Sequence, residues 1–173
     1  MKQSRYILVF IAAIISSLVL LDWYAPPYTH RVQDDWVTQK FSTAVLFLLS
    51  CPLVLAKSEL VADVMAIAVM AFATSAIFIG LGPAEQDAVR TIRPGIPSFF
   101  TVLGFWSLVL SRLYAPKVAF VPVILGAVAI VGYAFASPAL AWEFRWSSGM
   151  ALFTAVNFVL LGLAVRMDRK GDE

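Results

Sequence analysis

The sequence predicts an all-α integral membrane protein, built as a bundle of six transmembrane helices. Of its 173 residues, 61% are hydrophobic and only 14% are charged, whereas a soluble domain has about 45–50% apolar and about 25% charged residues. Six apolar stretches have about the length that a helix needs to cross the hydrocarbon core of a bilayer. Helices are expected because lipid offers no partner to the backbone amides of an open sheet.

The six stretches follow one another along the chain. They are Tyr6–Leu21, Phe41–Ala56, Leu60–Leu81, Ser98–Ala115, Val118–Ala136 and Met150–Val165. The first stretch follows the cations Lys2 and Arg5, as the apolar part of a secretory signal would. Asp22, Trp23 and Tyr24 follow it, where a signal would have a cleavage site of small residues. We therefore expect a retained first helix, and residues 1–173 to form a single transmembrane domain.

Basic residues divide unevenly between the two ends of these helices. One end carries Lys2, Arg5, Lys57, Arg112, Lys117, Arg166, Arg169 and Lys170. The other end carries the smaller set of Arg31, Lys40, Arg90, Arg93 and Arg145. Because cytoplasmic loops hold the excess of Lys and Arg, both termini are expected in the cytoplasm, with the chain multi-pass in a bacterial inner membrane.

Internal similarity predicts three consecutive helical hairpins, at about residues 1–57, 58–116 and 117–167, with a short cytoplasmic tail over 168–173. A threonine opens the returning helix of each copy: Thr43, Thr101 and Thr154. A proline precedes each threonine at a similar distance, and the threonine hydroxyl is expected to cap the first turn of its helix. Copies that share one topology are related by an axis along the membrane normal, so we expect rough threefold pseudo-symmetry.

Few polar groups fall within the predicted helices, where such groups are expensive and mark function by default. Asp63 lies near the inner start of the third helix, either as an interfacial group beside Lys57 or as an ion site. Asn157 lies in the last helix and is expected to hydrogen-bond across helices. Pro52 and Pro122 are expected to kink their helices.

Several other residues are expected to serve packing. Small residues four positions apart predict close helix contacts, as at Ala12 with Ser16 and at Ala71 with Ser75. Cys51 is expected to pack as a small hydrophobic residue inside its helix.

The outer loops are short and mixed in charge, and we interpret them as candidate docking loops for an extracytoplasmic ligand or partner, with solvated connectors as the alternative. Their candidate residues are His30, Asp34, Asp35, Trp36, Trp142, Glu143, Arg145 and Trp146. One histidine cannot build a haem or zinc site without carboxylate help, and no phosphate-binding loop occurs. The sequence therefore predicts no catalytic residue, no cofactor and no metal.

Two segments share a Phe-Thr pair that opens an apolar run with an internal glycine. They read RPGIPSFFTVLGF (residues 93–105) and GMALFTAVNFVLLGLA (residues 149–164). These segments resemble the multi-helix membrane sensing regions that precede histidine-kinase or diguanylate-cyclase domains in bacteria, with a fainter echo at Ser42–Ala56. Only eight residues follow Val165, so the resemblance implies the membrane part alone, acting through a separate partner.

Three functions remain open, and none of them is enzymatic. We favour an accessory or scaffold subunit that packs against other integral membrane proteins or against itself. The alternatives are a stand-alone sensory module that signals through a separate effector, and a small transporter or channel, for which Asp63 and Pro52 are the candidate features. The net charge of only +2 argues against a nucleic-acid partner.

Overall fold

A computed structural model describes residues 2–24, 41–80, 98–137, 139–141 and 150–169 of the chain. These residues form six α-helices: α1 (Lys2–Tyr24), α2 (Phe41–Leu55), α3 (Glu59–Gly80), α4 (Phe99–Leu113), α5 (Phe120–Ala134) and α6 (Leu152–Arg169). A short 3₁₀ turn, Pro116–Ala119, connects α4 to α5. The described residues contain no β-strand, so the all-α prediction is confirmed, and every helix bound lies within four residues of the predicted one.

Two helices are long and apolar enough to cross a membrane, judged by length and composition alone. They are Gln3–Leu21 within α1 and Lys117–Ala134, which joins the 3₁₀ turn to α5. Shorter apolar helices lie within α2, α4 and α6. At 1.5 Å per residue, the 15 residues of α2 reach only about 22 Å, whereas a bilayer core is roughly 30 Å thick.

The six helices close into a ring in which outer and inner helices alternate. The inner helices α2, α4 and α6 contact one another at the centre. Of the outer helices, α1 packs between α6 and α2, α3 packs between α2 and α4, and α5 packs between α4 and α6. Each outer helix is followed in the chain by an inner one, so three successive helix pairs build the bundle.

Three phenylalanines, which we call the phenylalanine triangle, fill the centre of the bundle. Phe47, Phe105 and Phe158 are fully buried, and their ring centroids are separated by 4.7, 4.9 and 5.0 Å. Gly104 has no side chain at the place where the Phe158 ring packs. Tilted and edge-on aromatic pairs at this spacing contribute about 0.5–1.5 kcal/mol each beyond area burial, so the triangle ties the three inner helices together.

The outer helices turn small residues inwards and large apolar residues outwards. The buried stripes are Val9, Ala12 and Ser16 on α1, Ala62, Ala66, Val69 and Ala73 on α3, and Leu125, Gly126, Ala129 and Gly132 on α5. The exposed residues include Ile7, Phe10 and Leu18 on α1, Leu60, Val64 and Ile67 on α3, and Ile124 and Val131 on α5. This distribution reverses that of a helix in a water-soluble protein, whose outer face is polar.

The repeat threonines occupy equivalent places, but not the capping position. Thr43, Thr101 and Thr154 are each the third residue of their helix, and all three are buried. In α4 the cap is Ser98, whose hydroxyl accepts a hydrogen bond of 3.3 Å from the Thr101 amide. The expected capping role is therefore wrong for Thr101, because its helix begins two residues earlier and its own amide is the group that needs a partner.

The two prolines differ in their position within their helices. Pro52 lies inside α2, where it cannot donate to the carbonyl four residues before it. Pro122 is the third residue of α5, directly after the 3₁₀ turn. The kinks expected at both prolines stay predictions.

Candidate functional site

Asp63, the candidate ion site of the sequence, lies one turn into α3 and is exposed. An ionisable residue that binds an ion within a helix bundle faces the bundle interior or a cavity. The buried stripe of α3 instead passes through Ala62 and Ala66. The side chain of Asp63 therefore points away from the bundle centre.

Asn157 is fully buried in α6, and its amide makes the cross-helix contact expected from the sequence. Its Nδ2 donates to the Ser16 hydroxyl of α1 at 3.1 Å, and that hydroxyl donates onward to the Ala12 carbonyl at 2.9 Å. The Oδ1 atom of Asn157 is buried with no hydrogen-bond partner among the described residues. The arrangement joins the last helix to the first and leaves one acceptor unsatisfied.

The other predicted positions serve packing or lie outside the described residues. Cys51 is buried, and its Sγ atom lies 3.8 Å from the carbonyl oxygen of Val9. A further packing contact joins α4 to α3, where the indole nitrogen of Trp106 donates to the Thr74 hydroxyl at 3.2 Å. Within the described ranges no cluster of His, Cys, Asp and Glu is suited to hold a metal ion. The candidate docking residues of the outer loops lie outside the described residues: His30, Asp34, Asp35, Trp36, Trp142, Glu143, Arg145 and Trp146.

Two arginines from different helices converge on the last turn of α2, an arrangement we call the arginine cap. Arg5 of α1 donates to the Val54 carbonyl. Arg112 of α4 donates from Nε to the Leu53 carbonyl at 3.3 Å and from Nη2 to the Ala56 carbonyl at 2.5 Å. Carbonyls at a helix C-terminus have no partner within the helix, and cations there also face the negative end of the helix dipole.

The arginine cap belongs to one end of the bundle, where α1, α3 and α5 begin and α2, α4 and α6 end. We call it the basic end. Its cationic side chains with a described position are Arg5, Lys57, Arg112, Lys117 and Arg166, and its acidic ones are Glu59 and Asp63. The Arg166 guanidinium lies 3.7 Å from the ring centroid of Phe120, which holds the end of α6 to the start of α5. The distribution of Lys and Arg along the sequence predicts that these cations share one end, but it does not indicate that two of them bind α2.

An apolar groove runs between α1 and α2 and opens to the outside of the bundle. Its volume is about 630 Å³. Its wall includes Gln3, Tyr6, Phe10 and Ala13 of α1 and Pro52 and Leu55 of α2. The groove reaches the basic end, because Gln3 is near the start of α1 and Leu55 is the last residue of α2.

Comparison with protein-family models, with curated proteins and with solved structures finds no match to this chain. The basic end, the arginine cap and the groove place cations and hydrogen-bond donors beside an apolar surface, which is the chemistry of a binding surface.

Proposed function

We propose that this chain is a multi-pass protein of a bacterial inner membrane that acts as an accessory or scaffold subunit. It packs against other integral membrane proteins or against a second copy of itself. The observation that carries the proposal is the apolar outer surface of the bundle: Ile7, Phe10 and Leu18 of α1 are 53%, 66% and 59% exposed. Soluble monomers rarely expose a contiguous apolar patch of more than a few hundred Å², whereas lipid and membrane partners accept such a surface.

The inner faces of the outer helices support the same proposal. Helices in lipid associate through small residues that let their backbones approach closely. At Gly126 of α5 any side chain would collide with the Ala155 carbonyl oxygen of α6. Small residues inside and large apolar residues outside are therefore what a bundle packed within a bilayer requires.

Three hairpins with both termini in the cytoplasm fit the alternation of outer and inner helices. The pairs α1–α2, α3–α4 and α5–α6 repeat the same order, and each inner helix places a phenylalanine four residues after its threonine. These phenylalanines meet in the triangle, where a threefold axis would pass. At the basic end the described cations outnumber the described acids. Because cytoplasmic loops hold the excess of Lys and Arg, we expect this end to face the cytoplasm.

A transporter or channel has weaker support. The phenylalanine triangle occupies the bundle centre with rings only 4.7–5.0 Å apart, which leaves no path for a solute between α2, α4 and α6 at that level. Asp63, the acid on which the alternative depended, is exposed on an outer helix.

Two measurements test the proposal. A fluorescent protein that folds only in the cytoplasm is expected to be active when fused to either terminus. A phosphatase that works only in the periplasm is expected to be inactive at both termini. The control is the same phosphatase fused after Tyr24, where it is expected to be active. Purification in mild detergent is expected to recover a membrane complex in fixed stoichiometry. A histidine kinase or diguanylate cyclase in that complex would instead support a sensory module, and a chain that is folded and monomeric in detergent-free buffer would overturn the proposal.

A further inference from the structure

We propose that the groove between α1 and α2 binds one anionic phospholipid, with its acyl part in the groove and its headgroup at the basic end. The inference rests on the proposed membrane function. It is carried by two independent features: the shape of the groove, and the charge of the end at which the groove stops.

The groove has room for a hydrocarbon chain along its length. It extends along α1 from Gln3 to Ala13, about 15 Å at 1.5 Å per residue, and its volume is about 630 Å³. An acyl chain can follow the groove over that distance and contact an apolar wall on both sides.

The composition of the wall agrees with a hydrocarbon occupant. Ala13 and Leu55 are apolar, and Pro52, which is exposed in the groove, has no backbone amide to offer a polar ligand. Gln3 and Tyr6 are the groove residues nearest the basic end and are exposed, and the surface that the groove presents is almost wholly apolar.

The basic end supplies the charge that an anionic headgroup requires. Lys57 follows α2 two residues after the groove residue Leu55, and its side chain is exposed. Arg5 and Arg112 place two further cations on the last turn of α2. The acids of this end whose side chains have a described position belong to α3, which contributes no residue to the groove wall. Basic pockets between membrane helices on the cytoplasmic side bind anionic headgroups by this means.

Lipid retention by the purified full chain tests the proposal. The chain in mild detergent is mixed with phosphatidylglycerol or with phosphatidylcholine of the same acyl composition, and native mass spectrometry counts the bound lipid. Ala13→Phe fills the groove, and Ala71→Phe places the same bulk on an exposed face of α3. Lys57→Gln removes the nearby cation, and Lys117→Gln removes an exposed cation of the same end that does not adjoin the groove.

The unaltered chain is expected to retain one phosphatidylglycerol more tightly than phosphatidylcholine. Ala13→Phe should lower retention of both lipids, and Ala71→Phe should not. Lys57→Gln should weaken phosphatidylglycerol binding by about fivefold, the effect of one basic residue near an anionic surface, and leave phosphatidylcholine unchanged.

Equal retention by the two phenylalanine variants, or equal effects of the two glutamine variants, would overturn the lipid site. Lys57→Gln alters an exposed side chain, so it decides the matter even if Ala13→Phe fails to fold. Either negative result leaves the membrane proposal standing, because that proposal is tested separately by the reporter fusions and by the state of the chain without detergent.

Discussion

Asn157 and Ser16 stand 141 positions apart in the sequence and share a hydrogen bond of 3.1 Å. Both side chains are fully buried, at the contact between α6 and α1. Since α1 and α6 are the first and last helices of the ring, this bond joins its two ends. Because Asn157 is the donor and Ser16 the acceptor, removing one side chain has a different effect from removing the other.

Ser16→Ala is expected to destabilise the bundle more than Asn157→Leu. The serine variant leaves the buried side-chain amide of Asn157 without its acceptor, and should lower the free energy of unfolding by about 1–3 kcal/mol. The leucine variant removes the unsatisfied Oδ1 together with the donor, and should change that free energy by less than about 1 kcal/mol. Titration with a denaturing detergent measures both, with the exposed Ser17→Ala as control. A larger loss for Asn157→Leu would contradict the account.

Helix positions were predictable from the sequence, because a run of apolar residues and its polar ends mark where a helix starts and stops. Which face of each helix turns towards the centre of the bundle was not predictable from the sequence. Ala12 with Ser16 and Ala71 with Ser75 carry the same signal of small residues four apart, yet the first pair is buried and the second is exposed. In a helix that is apolar on all sides, spacing alone does not say which side faces a neighbour.

The phenylalanine triangle could have been predicted from the sequence. Phe47, Phe105 and Phe158 each stand four residues after a repeat threonine, so an axis through equivalent positions would have brought them together. The arginine cap could not have been predicted, because the contact of Arg112 with α2 depends on how separate helices are arranged in space. The functional role of the outer loops stays a prediction.

Phe105→Ala is expected to lower the free energy of unfolding by about 3–5 kcal/mol, the usual effect of removing a large buried aromatic ring. The ring contacts both Phe47 and Phe158, so all three inner helices lose a contact. Phe135→Ala removes the same side chain where it is 76% exposed, and should change stability by no more than about 0.5 kcal/mol. Similar losses for the two variants, measured by unfolding in detergent, would exclude the triangle as the centre of the core.

Ala136→Gly is expected to stabilise the chain. Ala136 has a φ of 48°, a left-handed conformation that costs a residue with a Cβ about 1–2 kcal/mol. The conformation ends α5, since the next amide, that of Ser137, donates to the Gly132 carbonyl at 2.8 Å.

Allowing for the greater freedom of glycine in the unfolded chain, the net gain should be about 0.5–1 kcal/mol. Ala134→Gly, two residues earlier at the end of the helix, is the matched control and should lose about as much. Losses in both variants on thermal unfolding would mean that Ala136 does not need the left-handed conformation.

Arg112→Met is expected to loosen the end of α2. The variant keeps a long side chain but removes the hydrogen bonds to the Leu53 and Ala56 carbonyls, and bonds from a charged donor contribute about 1.5–3 kcal/mol together with their electrostatics. Hydrogen–deuterium exchange should therefore rise over residues 53–57 before it rises in α6. Lys117→Met removes an exposed cation of the same end and should leave that exchange unchanged. A uniform rise across all helices would show that Arg112 stabilises the bundle as a whole and does not act as a cap of α2.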